Sequence, residues 1–319
     1  MNRRQLILRS TAFGLSPLAA TLGSGAAALA AAASPSGAAL PVPSTGPIPV
    51  AFLLSDGAVV IDFCGPWQVF ESVSTAGRQH GAFQPYTVAE TTEPITASSG
   101  MKIVPRFTFK NAPAPKVVVI PAQNGAGDAA LDWIRRVTQQ TDVTMSVCTG
   151  AYVLARTGLL SGQSATTHHG AYADFAMTFP DVRLVRGARF VEAGNLATAG
   201  GLSSGIDLSL RVVERYFGRN AAAETAYYME YQGAGWMDPD SNHTYRARRA
   251  SNNGHPVCPV CDMEVDPASA PRTVYHDRTY YFCMPAHKML FDKAPRQFLD
   301  ASDPPAATRS TWRSVRLMA

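Results

Sequence analysis

The sequence predicts an α/β fold, a doubly wound and mostly parallel sheet with helices on both faces, followed by a small Cys-rich α+β module. Three observations predict it. Short apolar runs at 50–54, Val117–Ile120 and Val143–Val147 have the length and composition of strands buried on both faces. Amphipathic stretches of helical length separate them, as in alternating strand and helix units. Beyond Gly233 the alternation stops, and a stretch rich in Cys, Tyr and Phe begins near residue 255.

The elements follow in order. A first strand at 50–54 precedes an amphipathic helix at 63–75, opened by Gly65-Pro66. A second strand lies at 86–89, and Lys102-Ile103-Val104-Pro105 opens a third polar–apolar segment. The strand Val117–Ile120 stops at Pro121, a helix covers 129–140, and the strand Val143–Val147 runs into Cys148. The next helix is predicted over 149–160, ending at Gly162. Strands at 188–191 and 195–198 and helices at 205–217 and 221–231 close a domain spanning 48–235. Residues 236–254, with Asp238-Pro239-Asp240 and Asn252-Asn253-Gly254, read as a linker. The Cys-rich module then covers 255–302, and 303–319 reads as a disordered tail.

Of the 319 residues 46% are apolar and 16% charged, a balance that suits a packed core. The first 33 residues carry the signature of an export signal. Arg3-Arg4 precede a long uncharged stretch of Ala, Gly, Ser and Thr, and Ala28-Leu29-Ala30 offers a cleavage site. The paired arginines and weak hydrophobicity match the twin-arginine type, and Pro17 makes the stretch a poor membrane anchor, so no stable span is expected after cleavage. Residues 34–47, rich in Pro, Ser, Gly and Ala, then read as a flexible tether. Loss of Arg3, Arg4 and Arg9 leaves 25 basic against 24 acidic side chains, which excludes a nucleic-acid footprint. The expected location is exported and periplasmic, where disulfides compete with metal or thiol chemistry for the five cysteines.

Cys148 is the leading candidate for chemistry. It sits where a buried strand turns sharply into a helix, at the sheet edge where open α/β sheets bind ligands. A helix N-terminus favours the thiolate there, and Gly150 removes bulk close to the sulfur. The neighbouring loop Pro121-Ala122-Gln123-Asn124 could offer donors to a developing anion, with Ala122, Gln123 and Gly150 as the oxyanion or substrate-binding set. The competing reading is a buried, inert cysteine.

Several ordered motifs carry a resemblance. Ser146-Val147-Cys148-Thr149-Gly150-Ala151, Leu154-Ala155-Arg156-Thr157-Gly158 and Ala165-Thr166-Thr167-His168 resemble the ThiJ/PfpI superfamily, in its isonitrile hydratase-like branch. Ile61-Asp62-Phe63-Cys64-Gly65-Pro66, Phe190-Val191-Glu192-Ala193-Gly194-Asn195, Thr198-Ala199-Gly200-Gly201 and Gly205-Ile206-Asp207-Leu208 extend it over about 48–235. The resemblance implies a flavodoxin-like sheet with a nucleophile elbow, a homodimer, and no cofactor for this domain. It implies Cys148 as nucleophile, Asp62 as the facing acid, Thr149 beside the sulfur and His168 at a position often held by histidine. Asp62 read alone is equally a helix N-cap, and Cys64 reads as a small packed residue. Ala122-Gln123-Asn124 stands where relatives usually carry glycines, which narrows the approach to the sulfur.

Cys258-Pro259-Val260-Cys261 and Cys283-Met284-Pro285-Ala286-His287 form a second cluster. Cys258, Cys261, Cys283 and His287 would complete a tetrahedral soft-metal site, for zinc or, with Met263 and Met284 alongside, copper. A Cys258–Cys261 disulfide is the alternative. These residues and the segment 291–298 resemble a YHS domain, which implies metal binding, with departures at Asp262 and His287. Two function classes therefore stand. One is a Cys148-dependent hydratase acting on a small electrophile, most concretely an isonitrile. The other is an exported metal-binding or redox- or ligand-sensing protein without turnover.

Overall fold

The computed structural model describes residues 37–75, 81–246, 254–260, 263–293 and 295–299. The export signal expected over 1–33, Cys261 and the tail at 303–319 lie outside the described residues.

Seven strands form the central sheet: β1 (Ile48–Leu53), β2 (Phe83–Ala89), β3 (Phe107–Thr108), β4 (Val117–Ile120), β5 (Val143–Val147), β6 (Phe190–Ala193) and β7 (Leu196–Ala199). Their spatial order is β6-β7-β5-β4-β1-β2-β3. Every neighbouring pair is parallel except β6 with β7, which form an antiparallel edge. The chain starts at β1, moves outward through β2 to β3, and returns to β4 on the other side. That reversal places a crevice beyond the carboxyl ends of β1 and β4, the ligand-binding position of such sheets.

Both faces of the sheet are covered. Ile48, Val50 and Phe52 of β1 pack with Val117 and Val119 of β4 against α1 (Val60–Ser72), α5 (Ser204–Phe217) and α6 (Arg219–Tyr228). The alternate residues Ala51, Leu53, Val118 and Ile120 pack against α2 (Asp128–Thr138), α3 (Gly150–Arg156) and Phe175 of α4 (Tyr172–Thr178). Period-two alternation within an all-apolar run is what a strand buried on two sides requires.

Several expectations are corrected. The helix read as 63–75 spans Val60–Ser72 and carries Pro66 inside it, so no N–H reaches the carbonyl four residues back, that of Asp62. The helix read as 149–160 is shorter, Gly150–Arg156, and gives way to turns. The tether is held at its end: the Arg215 side chain donates to the Ala38 carbonyl at 3.2 Å, and the Leu40 N–H donates to the Arg215 carbonyl at 2.8 Å. The segment read as a linker from 236 is anchored to the domain at two points, although most of its residues up to 246 are exposed. Trp236 is buried in the core cluster on the α5 face, and Asn242 is buried beside it in sequence. Burial of one indole outweighs the polar composition that suggested solvent.

Beyond residue 254 the chain forms an antiparallel hairpin, β8 (Arg272–Tyr275) with β9 (Arg278–Tyr281), then α7 (Pro285–Lys293). Phe282, Phe291 and Phe298 make its small core, which also takes in Cys258 and Ala173 of α4.

The turn between β5 and α3 is set by one close approach. A Cβ at Gly150 would stand 2.2 Å from the Ile120 carbonyl oxygen and 2.8 Å from that of Pro121, both backbone atoms that cannot swing aside. Only a glycine lets α3 start this close to the end of β4. Gly150→Ala is expected to cost at least roughly 3 kcal/mol, the upper end of overpacking, measured by urea unfolding. An unchanged midpoint would show that the turn does not rest against β4.

Candidate active site

Cys148 lies at the apex of this turn with φ +57°, a left-handed conformation that a residue with a Cβ adopts at a cost of about 1–3 kcal/mol. Its backbone is fixed on both sides. The Cys148 N–H donates to the Gly200 carbonyl at 2.9 Å, and its carbonyl accepts from the Thr167 hydroxyl at 3.0 Å. The strained geometry that projects the sulfur is thus held by the loops after β7 and before α4.

Asp62 is the group that meets the thiol. It is fully buried, on the third residue of α1, and its side chain turns inward instead of capping the helix, a place taken by Val59. Oδ2 accepts from the Ala122 N–H at 3.1 Å, while Oδ1 makes no well-formed hydrogen bond within the structure. Desolvation raises the carboxyl pKa to about 7, against smaller lowering contributions from the Ala122 amide and the Cys148 thiol. Burial pushes the Cys148 pKa up to about 11, and the Asp62 charge adds to the rise. The amides of Thr149 and Leu202 and the Thr149 hydroxyl oppose it by stabilising the thiolate. Against the thiolate expected at a helix N-terminus stand the burial of the sulfur and the facing Asp62 carboxylate, both of which raise its pKa.

The donor set also differs from the expectation. The Ala122 amide is committed to Asp62. Gln123 is turned away into the loop, accepting from the Ser55 hydroxyl at 2.8 Å and donating to the Leu53 carbonyl at 3.2 Å. Gly150 provides the clearance that lets the turn approach β4. The donors that face the sulfur are Thr149, as expected, and Leu202, which lies far along the chain in the loop after β7. Leu202 itself has φ +42° and is partly exposed. Gly200-Gly201 ahead of Leu202-Ser203-Ser204-Gly205 is the signal in the sequence that a tight turn approaches something there.

His168 does not hydrogen-bond to Cys148 among the described contacts. Its Nδ1 accepts from the Gly170 N–H at 3.1 Å, and its ring lies against Gly201, where a Cβ would stand 2.5 Å from Cδ2. Burial, and then the neighbouring His169, lower its pKa. The His169 ring stacks on Tyr245 at 4.7 Å between centroids. Cys64 is exposed instead of packed, because it falls with Ile61, Gln68 and Glu71 on the outer stripe of α1.

Away from this site, ligand atoms of Cys258, Cys283 and His287 lie within 4.8 Å of one another. His287 Nδ1 is 3.1 Å from the Cys283 sulfur and 3.7 Å from that of Cys258. Two thiols and an imidazole suit zinc or copper(I). Among the described residues no helix is long and apolar enough to cross a membrane.

The family and the fold are shared with known proteins. The model of the DJ-1/PfpI family matches residues 49–215, which include Asp62, Cys148, Thr149, His168 and Leu202 and exclude the Cys258 cluster. The isonitrile hydratase of Pseudomonas putida is 33% identical over 200 residues, 61% of this chain and 83% of that protein. The HTH-type transcriptional regulator GbdR of Pseudomonas aeruginosa is 24% identical over 198 residues, and the chain spans only 53% of that regulator's length. Among solved structures, a ThiJ/PfpI family protein from Pseudomonas syringae superposes with a TM-score of 0.53 at 27% identity, covering 64% of this chain and 85% of that one. A mostly parallel α/β sheet, a strained cysteine at the strand-to-helix turn and a buried acid facing it thus coincide with the matched segment, and the chain belongs to the DJ-1/PfpI family.

Proposed function

We propose that the chain is a cysteine-dependent hydratase of a small electrophilic carbon, most concretely converting an isonitrile and water to an N-substituted formamide. The observation that carries this reading is the Asp62–Cys148 pair. A carboxyl with a pKa of about 7 is half ionised near neutrality, and it faces a thiol that ionises only when a base takes its proton. The likeness to the Pseudomonas putida isonitrile hydratase supports the substrate class.

The steps balance as follows. The sulfur bonds to the terminal carbon of R-NC, and the thiol proton passes through Asp62 to that carbon, leaving a thioimidate. Water then adds to the same carbon, and one of its protons goes to nitrogen. The C–S bond breaks, and the other proton returns through Asp62 to sulfur, releasing the formamide. The Thr149 and Leu202 amides stabilise sulfur whenever it carries charge. The exposed Leu202 side chain gives the turn beside the sulfur an apolar character that suits an uncharged R group.

A second reading attaches to the Cys-rich segment. We infer that Cys258, Cys283 and His287, with Cys261 as the fourth ligand, hold zinc or copper in a YHS-like module. The short mutual distances of the three described ligands support it. On this reading the chain works as an exported, periplasmic homodimer.

With a simple alkyl isonitrile, the wild-type chain is expected to produce formamide at a kcat/KM that climbs as pH passes about 7, where Asp62 ionises. Cys148→Ala should lose more than about a thousandfold, and equal rates for the two proteins would remove the proposal. Stability gives an independent check on Asp62. Its folded pKa lies above the unfolded value of 3.8, so the native state binds more protons between these values. Its contribution is intact below pH 4 and is lost as pH rises through about 7. Asp62→Asn should therefore raise the melting temperature at pH 8 by several degrees, with the gain fading toward pH 4. A variant less stable at pH 8 would contradict the desolvated carboxyl. For the second cluster, protein purified from the exported fraction should carry about one equivalent of zinc or copper. Cys283→Ala should lose most of it, and full metal content in that variant would rule the ligand set out.

A further inference from the structure

Behind the Leu202 turn lies a buried polar cluster that neither the pair nor the metal ligands use. Asp207, on the first turn of α5, is fully buried. Its Oδ2 accepts from Arg189 Nε at 2.6 Å and from the Tyr231 hydroxyl at 2.9 Å, while Oδ1 has no hydrogen-bond partner. The two terminal guanidinium nitrogens, one of which also pairs with Asp207 Oδ2, reach two other segments. One donates to the Ser203 hydroxyl at 3.0 Å, and the other to Asn242 Oδ1 at 3.1 Å. Asn242 comes from the segment after α6 and lies within 3.4 Å of the Ser204 hydroxyl. The Arg189 main chain joins the same construction. Its carbonyl accepts from the Gly200 N–H at 2.9 Å, and its N–H donates to the Pro239 carbonyl at 2.6 Å.

These contacts bracket Leu202. Gly200 on one side gives its carbonyl to the Cys148 N–H, and Ser203 on the other takes the guanidinium. Between them Leu202 holds φ +42°, a conformation that persists only where the surroundings over-determine it. Its amide is one of the groups that stabilise the Cys148 thiolate. A planar guanidinium suits this task because it donates in three fixed directions at once, which a lysine cannot do.

We propose that Arg189 is a positioning residue for the nucleophile: clamped to Asp207 and Asn242, it fixes Ser203 and thereby holds the Leu202 amide against the Cys148 sulfur. This rests on the reading of Cys148 as the reactive thiol. It also gives the segment through residue 242, beyond the matched family region, a part in the site's geometry.

The titratable group facing the sulfur is Asp62, from α1. His168 lies on the other side of Gly201, against the same loop. The test is the pH dependence of Cys148 alkylation by iodoacetamide, read by mass spectrometry on the full chain in its wild-type, Ser203→Ala, Arg189→Lys and Asp62→Asn forms. Below the thiol midpoint the rate follows the thiolate fraction, so a lost amide should slow alkylation several-fold at fixed pH and displace the profile to higher pH. Ser203→Ala and Arg189→Lys should both show this, and Ser203→Ala should do so with little change in melting temperature. If Arg189→Lys fails to fold, Ser203→Ala decides alone. Wild-type profiles in the folded variants would overturn the proposal. A profile that Asp62→Asn also leaves unmoved would instead overturn the thiol–carboxyl reading beneath it.

Discussion

Gly150 rests so close to the Ile120 carbonyl that the carboxyl ends of β4 and β5 and the start of α3 are locked into one unit. That contact sets how deep the elbow sits, and the depth sets the chemistry. A shallower turn would leave the Cys148 sulfur in water, with an ordinary thiol pKa and no need of a dedicated base. At the observed depth the sulfur is desolvated, its backbone is forced to positive φ, and a carboxyl from the neighbouring loop–helix unit is buried with it. The left-handed cysteine, the buried Asp62 and the committed Ala122 amide all sit around this one tight approach between two strand ends.

The site trades stability for poise. Asp62 is buried beside the thiol with one oxygen satisfied by a single backbone amide and the other without a well-formed bond. A fully satisfied carboxylate would ionise at low pH and would be too weak a base to draw a proton from sulfur. Desolvation by burial keeps its pKa near neutrality, with only the Ala122 amide and the thiol to oppose it. Asp207 shows the contrasting solution on the same side of the sheet. It is equally buried, but it meets a guanidinium and a phenol and so serves as an anchor. Both carboxyls leave Oδ1 without a hydrogen bond, and they differ in what surrounds Oδ2: a backbone amide beside a thiol for Asp62, a guanidinium and a phenol for Asp207.

Most of the sheet was legible in the sequence, because strands buried on both faces must be apolar throughout, and Val117–Ile120 and Val143–Val147 are. The elbow was legible for a related reason: such a strand running into Cys-Thr-Gly has few other ways to turn. Local signals misled where tertiary contact prevailed. Residues 236–246 looked like solvent because Pro, Asp and Asn dominate, yet one tryptophan and one asparagine bind the segment to the domain. The lone Trp236 in a polar run was the available clue. Leu202 could not be found by composition, since it contributes through its amide and not its side chain. The direction of Asp62 was hidden too, because both an N-cap and an inward acid place aspartate near a helix start.

The high resting pKa of Cys148 bears on how long the sulfur survives. Burial and the Asp62 charge keep the thiol protonated near neutral pH. Peroxides attack the thiolate, and its scarcity makes oxidation to sulfenic or sulfinic acid slow. On the proposed reading the sulfur enters reaction only when a carbon able to bond to it arrives, and peroxides meet little thiolate in the meantime.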